Sequence, residues 1–201
     1  MVVSFLDLPN NSSISVIDNF YSETELDEIK GELKLLSAVA ELNIFKNDGV
    51  AKDKDKEIDL MQKSNSFFLD NLYAGKRNLS KILNINRKLF TDTELKIKLV
   101  EKNLFYDHIF NSDFDTTLLN FYGPTDYYKP HKDTSCFTAL TFFKLEDFSG
   151  GNLVFPEYEI EIEAVENRLV IFPGFVLHGS EEVTKGIRVS MAQFINYRAG
   201  T

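Results

Sequence analysis

The chain carries three histidines in 201 residues, and two of them stand among groups able to share a metal ion. His131-Lys132-Asp133 is the first place to look. On an extended segment, residues two apart project to one face, so one ion can take an imidazole nitrogen from His131 and a carboxylate oxygen from Asp133. His178 follows later, at the end of an apolar stretch that starts after Pro173-Gly174. An H-x-D triplet alone often arises by chance, and a buried histidine is often only a core residue. It is the combination of the triplet with His178 that suggests chemistry.

Two imidazoles and one carboxylate on one face of a metal leave the opposite face open to substrate and O₂, the arrangement of non-haem Fe(II) oxygenases. Arg188 adds a second functional group. Its strand-like run, Ile187-Arg-Val-Ser-Met-Ala-Gln-Phe-Ile195, puts Arg188, Ser190, Ala192 and Phe194 on one face and Ile187, Val189, Met191 and Ile195 on the other. An arginine inside an apolar strand needs an anion, because an unpaired buried charge is very costly. Its planar fork suits a carboxylate, and the Ser190 hydroxyl could complete the clamp. From the residues alone that carboxylate is either a ligand's or one of the chain's 31 acidic side chains.

The elements that must position these groups lie in the second half of the chain. Thr116 to Tyr122, Tyr127 to His131, Phe137 to Leu145, Asn152 to Phe155, Tyr158 to Ala164, Arg168 to Phe172, Phe175 to His178 and Ile187 to Ile195 all read as strands. Gly123-Pro124, Gly150-Gly151, Pro156 and Pro173-Gly174 punctuate them, and Gly150-Gly151 is expected to form a hairpin turn. Short, regularly spaced strands of this kind indicate a jelly roll or barrel rather than βαβ units.

The first half reads differently. A short strand around Ile14 to Ile17 precedes a capping box, Ser22 with Glu25, and a helix marked by Leu26, Ile29, Leu33, Leu36 and Ala40. Further helical pattern covers Leu60 to Tyr73, Leu79 to Phe90 and Thr93 to Phe105. The charged run Lys46 to Glu57, centred on Lys52-Asp-Lys-Asp-Lys56, reads as a solvated loop, with a mobile lid as the second option. The expected fold class is α+β, a double-stranded β-helix (jelly roll) with N-terminal helices packed against it. Residues 1–201 are expected to form a single domain, with 1–110 mainly helical support and variable insert and 111–201 the jelly-roll core.

Composition narrows the function classes. With 43% hydrophobic and 26% charged residues, the chain has the make-up of a globular protein, and 18 Phe with 8 Tyr supply ample core bulk. The net charge of −9 argues against a nucleic-acid partner. The single cysteine, Cys136, has no partner for an intramolecular disulfide and reads as a small core residue. No apolar run approaches the roughly 20 residues needed to span a bilayer, and the first residues lack a signal-peptide pattern, so a cytoplasmic location is expected.

Four ordered segments resemble one family. Asn120-Phe-Tyr-Gly-Pro-Thr-Asp-Tyr-Tyr-Lys-Pro-His-Lys-Asp133 is similar to the "Tyr…Gly…Tyr…His-x-Asp" segment of the Fe(II)/2-oxoglutarate-dependent dioxygenases, prolyl 4-hydroxylase-like subgroup. Phe148-Ser-Gly-Gly-Asn-Leu-Val-Phe-Pro156 resembles that subgroup's Gly-Gly hairpin, with Asn152 where Glu is more usual. Arg168-Leu-Val-Ile-Phe-Pro-Gly-Phe-Val-Leu-His178 resembles its "Phe-Pro…His" strand, and Val183-Thr-Lys-Gly-Ile-Arg-Val-Ser190 its "Val-Thr-x-Gly-x-Arg-x-Ser" ending. The likeness is strong over residues 116–196, vague over 13–40 and absent over 43–110.

The resemblance implies that His131, Asp133 and His178 bind Fe(II). It implies that Arg188, assisted by Ser190, binds the distal carboxylate of 2-oxoglutarate. Tyr122 falls where the family has a co-substrate tyrosine, and Tyr128 where a pocket wall should be, although both also fit as core or rim aromatics. The implied reaction hydroxylates a C–H bond using O₂, releasing succinate and CO₂, with ascorbate as a reductant. Relatives that halogenate lack the metal carboxylate, so Asp133 points to hydroxylation. Phe137, Phe142 and Phe143 are expected to wall the pocket, and Lys144 to lie at the rim or in solvent. His108 reads as structural. The implied substrate is a peptide or protein, with a small free molecule or a non-catalytic metal-binding role as alternatives. No membrane partner is expected, and oligomeric state is not readable.

Overall fold

The computed structural model describes residues 1–41, 61–112 and 114–197, so the charged run Lys46 to Glu57 lies outside the described residues. The strands are β1 (Val2–Asp7), β2 (Ser13–Asp18), β3 (Gln62–Lys63), β4 (Asn65–Phe68), β5 (Phe114–Tyr122), β6 (Tyr127–His131) and β7 (Phe137–Lys144). They continue as β8 (Ser149–Gly150), β9 (Leu153–Phe155), β10 (Ile160–Ile162), β11 (Arg168–Pro173), β12 (His178–Ser180), β13 (Val183–Lys185) and β14 (Arg188–Asn196). The α-helices are α1 (Glu23–Glu41), α2 (Leu69–Leu72), α3 (Lys81–Ile85), α4 (Lys88–Thr91), α5 (Thr93–Lys102) and α6 (Asp107–Phe110). None is long and apolar enough to cross a membrane.

A seven-stranded sheet has the order β1-β2-β11-β7-β14-β5-β4, and a five-stranded sheet the order β10-β9-β12-β6-β3. Strands β13 and β8 form a small ribbon. From β5 onward the chain alternates between the two large sheets: β5, β7, β11 and β14 in the wider one, β6, β9 with β10, and β12 in the narrower. This double winding is the jelly roll that the strand pattern predicts. It places His131 and His178 on the narrow sheet and Arg188 on the wide sheet facing it.

The alternation along β14 explains how the wide sheet is filled. Val189, Met191 and Ile195 enter the core shared with the helices, while Arg188, Ser190, Ala192 and Phe194 line the space between the sheets. Strand β7 obeys the same period of two. Thr138, Leu140 and Phe142 face that space, whereas Phe137 and Phe143 turn into the helix-side core. Of the three phenylalanines expected to wall the pocket, only Phe142 does so. Because Phe143 is fully buried on the helix side, Phe143→Ala should cost about 3–5 kcal/mol of stability in urea unfolding while leaving the pocket-facing side chains in place.

Helix α1 starts at the expected capping box: the Ser22 N–H donates to Glu25 Oε2 at 2.8 Å and the Glu25 N–H to Ser22 Oγ at 3.3 Å. Its buried stripe, Ile29, Leu33, Leu36 and Ala40, packs on the outer face of the wide sheet.

Other expectations need correction. The Leu60 to Tyr73 pattern is helical only over α2; before that, β3 and β4 close the open edges of the narrow and wide sheets. Edge pairing and the burial of Phe67 there outweigh the local helical pattern. The Leu79 to Phe90 pattern breaks into α3 and α4 around Asn86, whose buried amide donates to Thr117 Oγ1 at 2.7 Å. Strand β1 extends the wide sheet beyond the expected opening strand. In the second half, a 3₁₀ turn at Pro156–Tyr158 and Glu159 at φ 55° shorten the Tyr158 to Ala164 strand to β10. The Phe175 to His178 segment is a turn that becomes strand only at His178. Gly150-Gly151 is not a hairpin tip. Gly150 pairs with Val183, the Gly151 N–H donates to the Glu182 carbonyl at 2.9 Å, and both glycines have positive φ.

Candidate metal centre and carboxylate pocket

His131 ends β6 and His178 begins β12, and the two are direct cross-strand partners. The strands approach closely here because residue 179 is glycine: a Cβ would lie 2.8 Å from the Tyr128 carbonyl and 3.0 Å from the Pro130 nitrogen. Asp133 follows β6 in a loop pinned by its N–H to the Gly174 carbonyl at 2.8 Å. One donor atom from each of His131, Asp133 and His178 lies within 4.8 Å of the others.

The hydrogen bonds fix which nitrogens point inward. His131 Nδ1 lies 2.9 Å from the Lys129 carbonyl and His178 Nδ1 2.9 Å from the Val176 carbonyl. A carbonyl only accepts, so each Nδ1 carries the proton and each Nε2 presents a lone pair. Those Nε2 atoms face Asp133 at 3.6 Å and 3.4 Å. Burial, the largest influence on both imidazoles, holds His131 below its usual pKa and His178 down at about 4. These close approaches are therefore not ion pairs at neutral pH: two neutral imidazoles and a carboxylate aim lone pairs at one point. A cation is what that donor set fits.

The surroundings lock the geometry. Thr138 Oγ1 donates to Asp133 Oδ2 at 2.5 Å and lies 3.0 Å from Ser135 Oγ. The Tyr128 ring stacks on His131 at 3.7 Å, and Phe172 packs on His178 at 4.5 Å.

A narrow cavity of about 40 Å³ runs from these three residues to Arg188, past Asn120, Tyr122, Leu140, Phe142, Leu153 and Ser190. Arg188 is 1% exposed, and burial pulls its pKa down to about 10. One Nη donates to the Gly151 carbonyl, Nε is buried without a partner, and the guanidinium lies 4.1 Å from the Tyr122 ring centre. Among the described residues no carboxylate pairs with it. The structural ion pair left open by the sequence is thus not found there, and the guanidinium lines the cavity beside Tyr122 without an acidic partner. Burial raises the Tyr122 hydroxyl to about 12, and Ser190 and Gln62 face it. On the other side, a wider groove of about 390 Å³ touches His131 and Asp133 and is bordered by Phe68, Lys132, Thr134, Phe194 and Asn196. The candidate metal position therefore lies where the narrow cavity meets the wider groove.

All seven residues singled out in the sequence are brought to this cavity: His131, Asp133, His178, Arg188, Ser190, Tyr122 and Tyr128. Lys144 is not; it is exposed and pairs with Asp147 at 2.9 Å. His108 bonds Tyr197 at 2.8 Å, Cys136 packs against the helix-side core, and Asn152 bridges to Glu161 at 2.5 Å within the β9–β10 hairpin. Sequence reasoning missed Thr138, Asn120 and Gln62. Asn120 shares the inward phase of Tyr122, and Thr138 that of Phe142, so strand alternation could have found both. Gln62, whose Nε2 donates to Asn120 Oδ1 at 2.6 Å, sits in the segment misread as helix and gave no signal.

Residues 117–196 match the profile of the 2OG-Fe(II) oxygenase superfamily. No curated protein sequence matches the chain. Among solved structures, a Pseudomonas putida prolyl-4-hydroxylase is similar at TM-score 0.64 and 14% identity, over 94% of this chain and 95% of that one. A Trichoplax adhaerens prolyl hydroxylase, in complex with a hypoxia inducible factor peptide fragment, gives 0.63 and 14% over 93% and 84%. The viral collagen prolyl hydroxylase of Paramecium Bursaria Chlorella virus-1, in a 2OG complex, gives 0.58 and 17% over 92% and 96%. At these identities the structural likeness speaks for the fold.

Proposed function

We propose, on the match of residues 117–196 to the 2OG-Fe(II) oxygenase superfamily, that the chain is an oxygenase of that kind, which hydroxylates a C–H bond of a peptide or protein and releases succinate and CO₂ from 2-oxoglutarate. His131, Asp133 and His178 hold Fe(II), and Arg188 binds the far carboxylate of 2-oxoglutarate with help from Ser190 and Tyr122. The carrying observation is a buried arginine, unpaired with any described acid, lining the same cavity as the three-residue donor set. When bound, Fe(II) supplies O₂ activation coupled to oxidative decarboxylation.

The chain's own residues do the rest. Each Nδ1–H is held by a backbone carbonyl, which keeps the imidazoles in the binding tautomer. Thr138 orients the carboxylate of Asp133. Leu140, Phe142, Leu153 and Ala192 keep the cavity apolar, so little water reaches the reacting centre. The open groove beside His131 and Asp133 receives the substrate, and its Phe68 and Phe194 edges suit an uncharged side chain. A peptide substrate is supported by the peptide complex of the similar Trichoplax enzyme. Ascorbate serves as reductant in the assay.

The test is anaerobic addition of Fe(II) and 2-oxoglutarate, which should produce a metal-to-ligand charge-transfer band that His131→Ala abolishes. Absence of the band in the wild type, or its persistence in the variant, rejects the assignment. Succinate release across proline-rich peptides, free amino acids and nucleobases then separates a chain-borne substrate from a small free one.

A further inference from the structure

We propose that Gly151 is the positioning residue for Arg188, aiming the guanidinium into the cavity and thereby setting the affinity for 2-oxoglutarate; this rests on the reading of Arg188 given above. Two independent features of Gly151 converge on the fork. Its carbonyl oxygen accepts a hydrogen bond from one Nη of Arg188, so one arm of the guanidinium is committed to the backbone. Its missing side chain makes the space: a Cβ at 151 would lie 3.1 Å from Nη1 and 3.3 Å from Cζ of Arg188, and 2.7 Å from Cγ2 of Val183. The backbone here is left-handed, φ +72°, a conformation glycine adopts without strain.

The adjoining strands keep this contact in place. Gly150 pairs with Val183 across the β8–β13 ribbon, and the Gly151 N–H donates to the Glu182 carbonyl. The arginine lies at the first residue of β14, just after that ribbon. Its guanidinium is confined on its other sides by the rings of Tyr122 and Phe142, at 4.1 Å and 5.6 Å. One arm is tied to the backbone, Nε is buried without a partner, and the side chain lines the cavity. A carboxylate entering it meets a fork already oriented.

Thr184, exposed on the same β8–β13 ribbon with its hydroxyl donating to the Ser149 carbonyl at 3.1 Å, provides the control. Neighbouring Gly150 does not, because a Cβ there would lie 2.5 Å from the Glu182 carbonyl that accepts from the Gly151 N–H. The experiment is calorimetric titration of 2-oxoglutarate into full-length protein loaded with redox-inert Mn(II), alongside steady-state kinetics. Gly151→Ala should raise the Kd and KM for 2-oxoglutarate by at least about tenfold, the loss of one charge-assisted hydrogen bond, with kcat at saturation and Mn(II) affinity near wild type. Thr184→Ala should change the Kd less than about threefold. In an Arg188→Lys background, Gly151→Ala should add little, because interacting sites are not additive.

If Gly151→Ala does not fold, Val183→Ala/Gly151→Ala relieves the contact with Val183 and carries the same expectation. A wild-type Kd in the folded variant, an equal loss in Thr184→Ala, or additive losses with Arg188→Lys would overturn the role of Gly151. An unchanged Kd in Arg188→Ala would instead overturn the reading of the pocket itself.

Discussion

Arg188→Ala should weaken 2-oxoglutarate binding by about two to three orders of magnitude while leaving Mn(II) or Fe(II) affinity within about twofold. The size follows from the setting, because losing one partner of a buried, hydrogen-bonded charge pair typically costs about 2–5 kcal/mol. The metal is untouched because Arg188 stands on the wide sheet, across the cavity from the donors on the narrow one. The same substitution carries a second signature of opposite sign. In the ligand-free protein Arg188 is a buried cation with an unpartnered Nε, and burial depresses its pKa, so the fold bears a desolvation cost that the Gly151 carbonyl and Tyr122 offset only in part. Arg188→Met, which keeps the bulk and removes the charge, should therefore melt no lower than wild type without ligand. It should also lose the rise in Tm that 2-oxoglutarate gives the wild type. A variant that still binds 2-oxoglutarate normally would mean that another cation holds the carboxylate. Lys144, exposed and paired with Asp147, is poorly placed for that work.

The candidate site residues are readable in the sequence where strand periodicity governs them. Along β14 one period-two reading separates Arg188 and Ser190 from Val189 and Met191, and the sheet obeys it because one face meets helices and the other a cavity. The same rule, applied to β7, would have turned Phe137 and Phe143 away from the pocket and shown Thr138 facing it. Hydrophobicity alone, without phase, misplaced them. The segment before α2 was not readable locally. Gln62–Lys63 and Asn65–Phe68 are strands only because the edges of two sheets lie beside them, a tertiary fact that leaves no periodic trace in four residues. The misreading of Gly150-Gly151 is of a third kind. Both glycines have the positive φ that a hairpin turn would use, but Gly150 passes close to the Glu182 and Thr184 backbone and Gly151 close to Arg188, so neither marks a chain reversal.

Asp133→Ala should lower divalent-metal affinity by on the order of 10²–10³-fold and abolish turnover. Protein metal sites of this size draw roughly 10 kcal/mol or more from three or four donors, so one donor accounts for about 3–4 kcal/mol. Asp133 is also the only anion of the donor set, and its removal leaves two neutral imidazoles facing each other across an uncharged gap. The hydrogen bonds predict a graded series. Thr138→Val removes the donor to Asp133 Oδ2 but not the carboxylate, and should cost about 10-fold, the usual effect of losing a partner behind a ligand. Ser135→Ala, one hydrogen bond farther away at 3.0 Å from Thr138 Oγ1, should cost less than Thr138→Val. Thermal melts give the readout without catalysis: Mn(II) at a hundred times its Kd should stabilise the wild type by about 2.7 kcal/mol, and Asp133→Ala by nearly nothing at the same concentration. An Asp133→Ala protein that still gains full stability from Mn(II) would show that the ion sits elsewhere. A flat response across Asp133, Thr138 and Ser135 would mean that their hydrogen-bonded chain supports only the loop after β6.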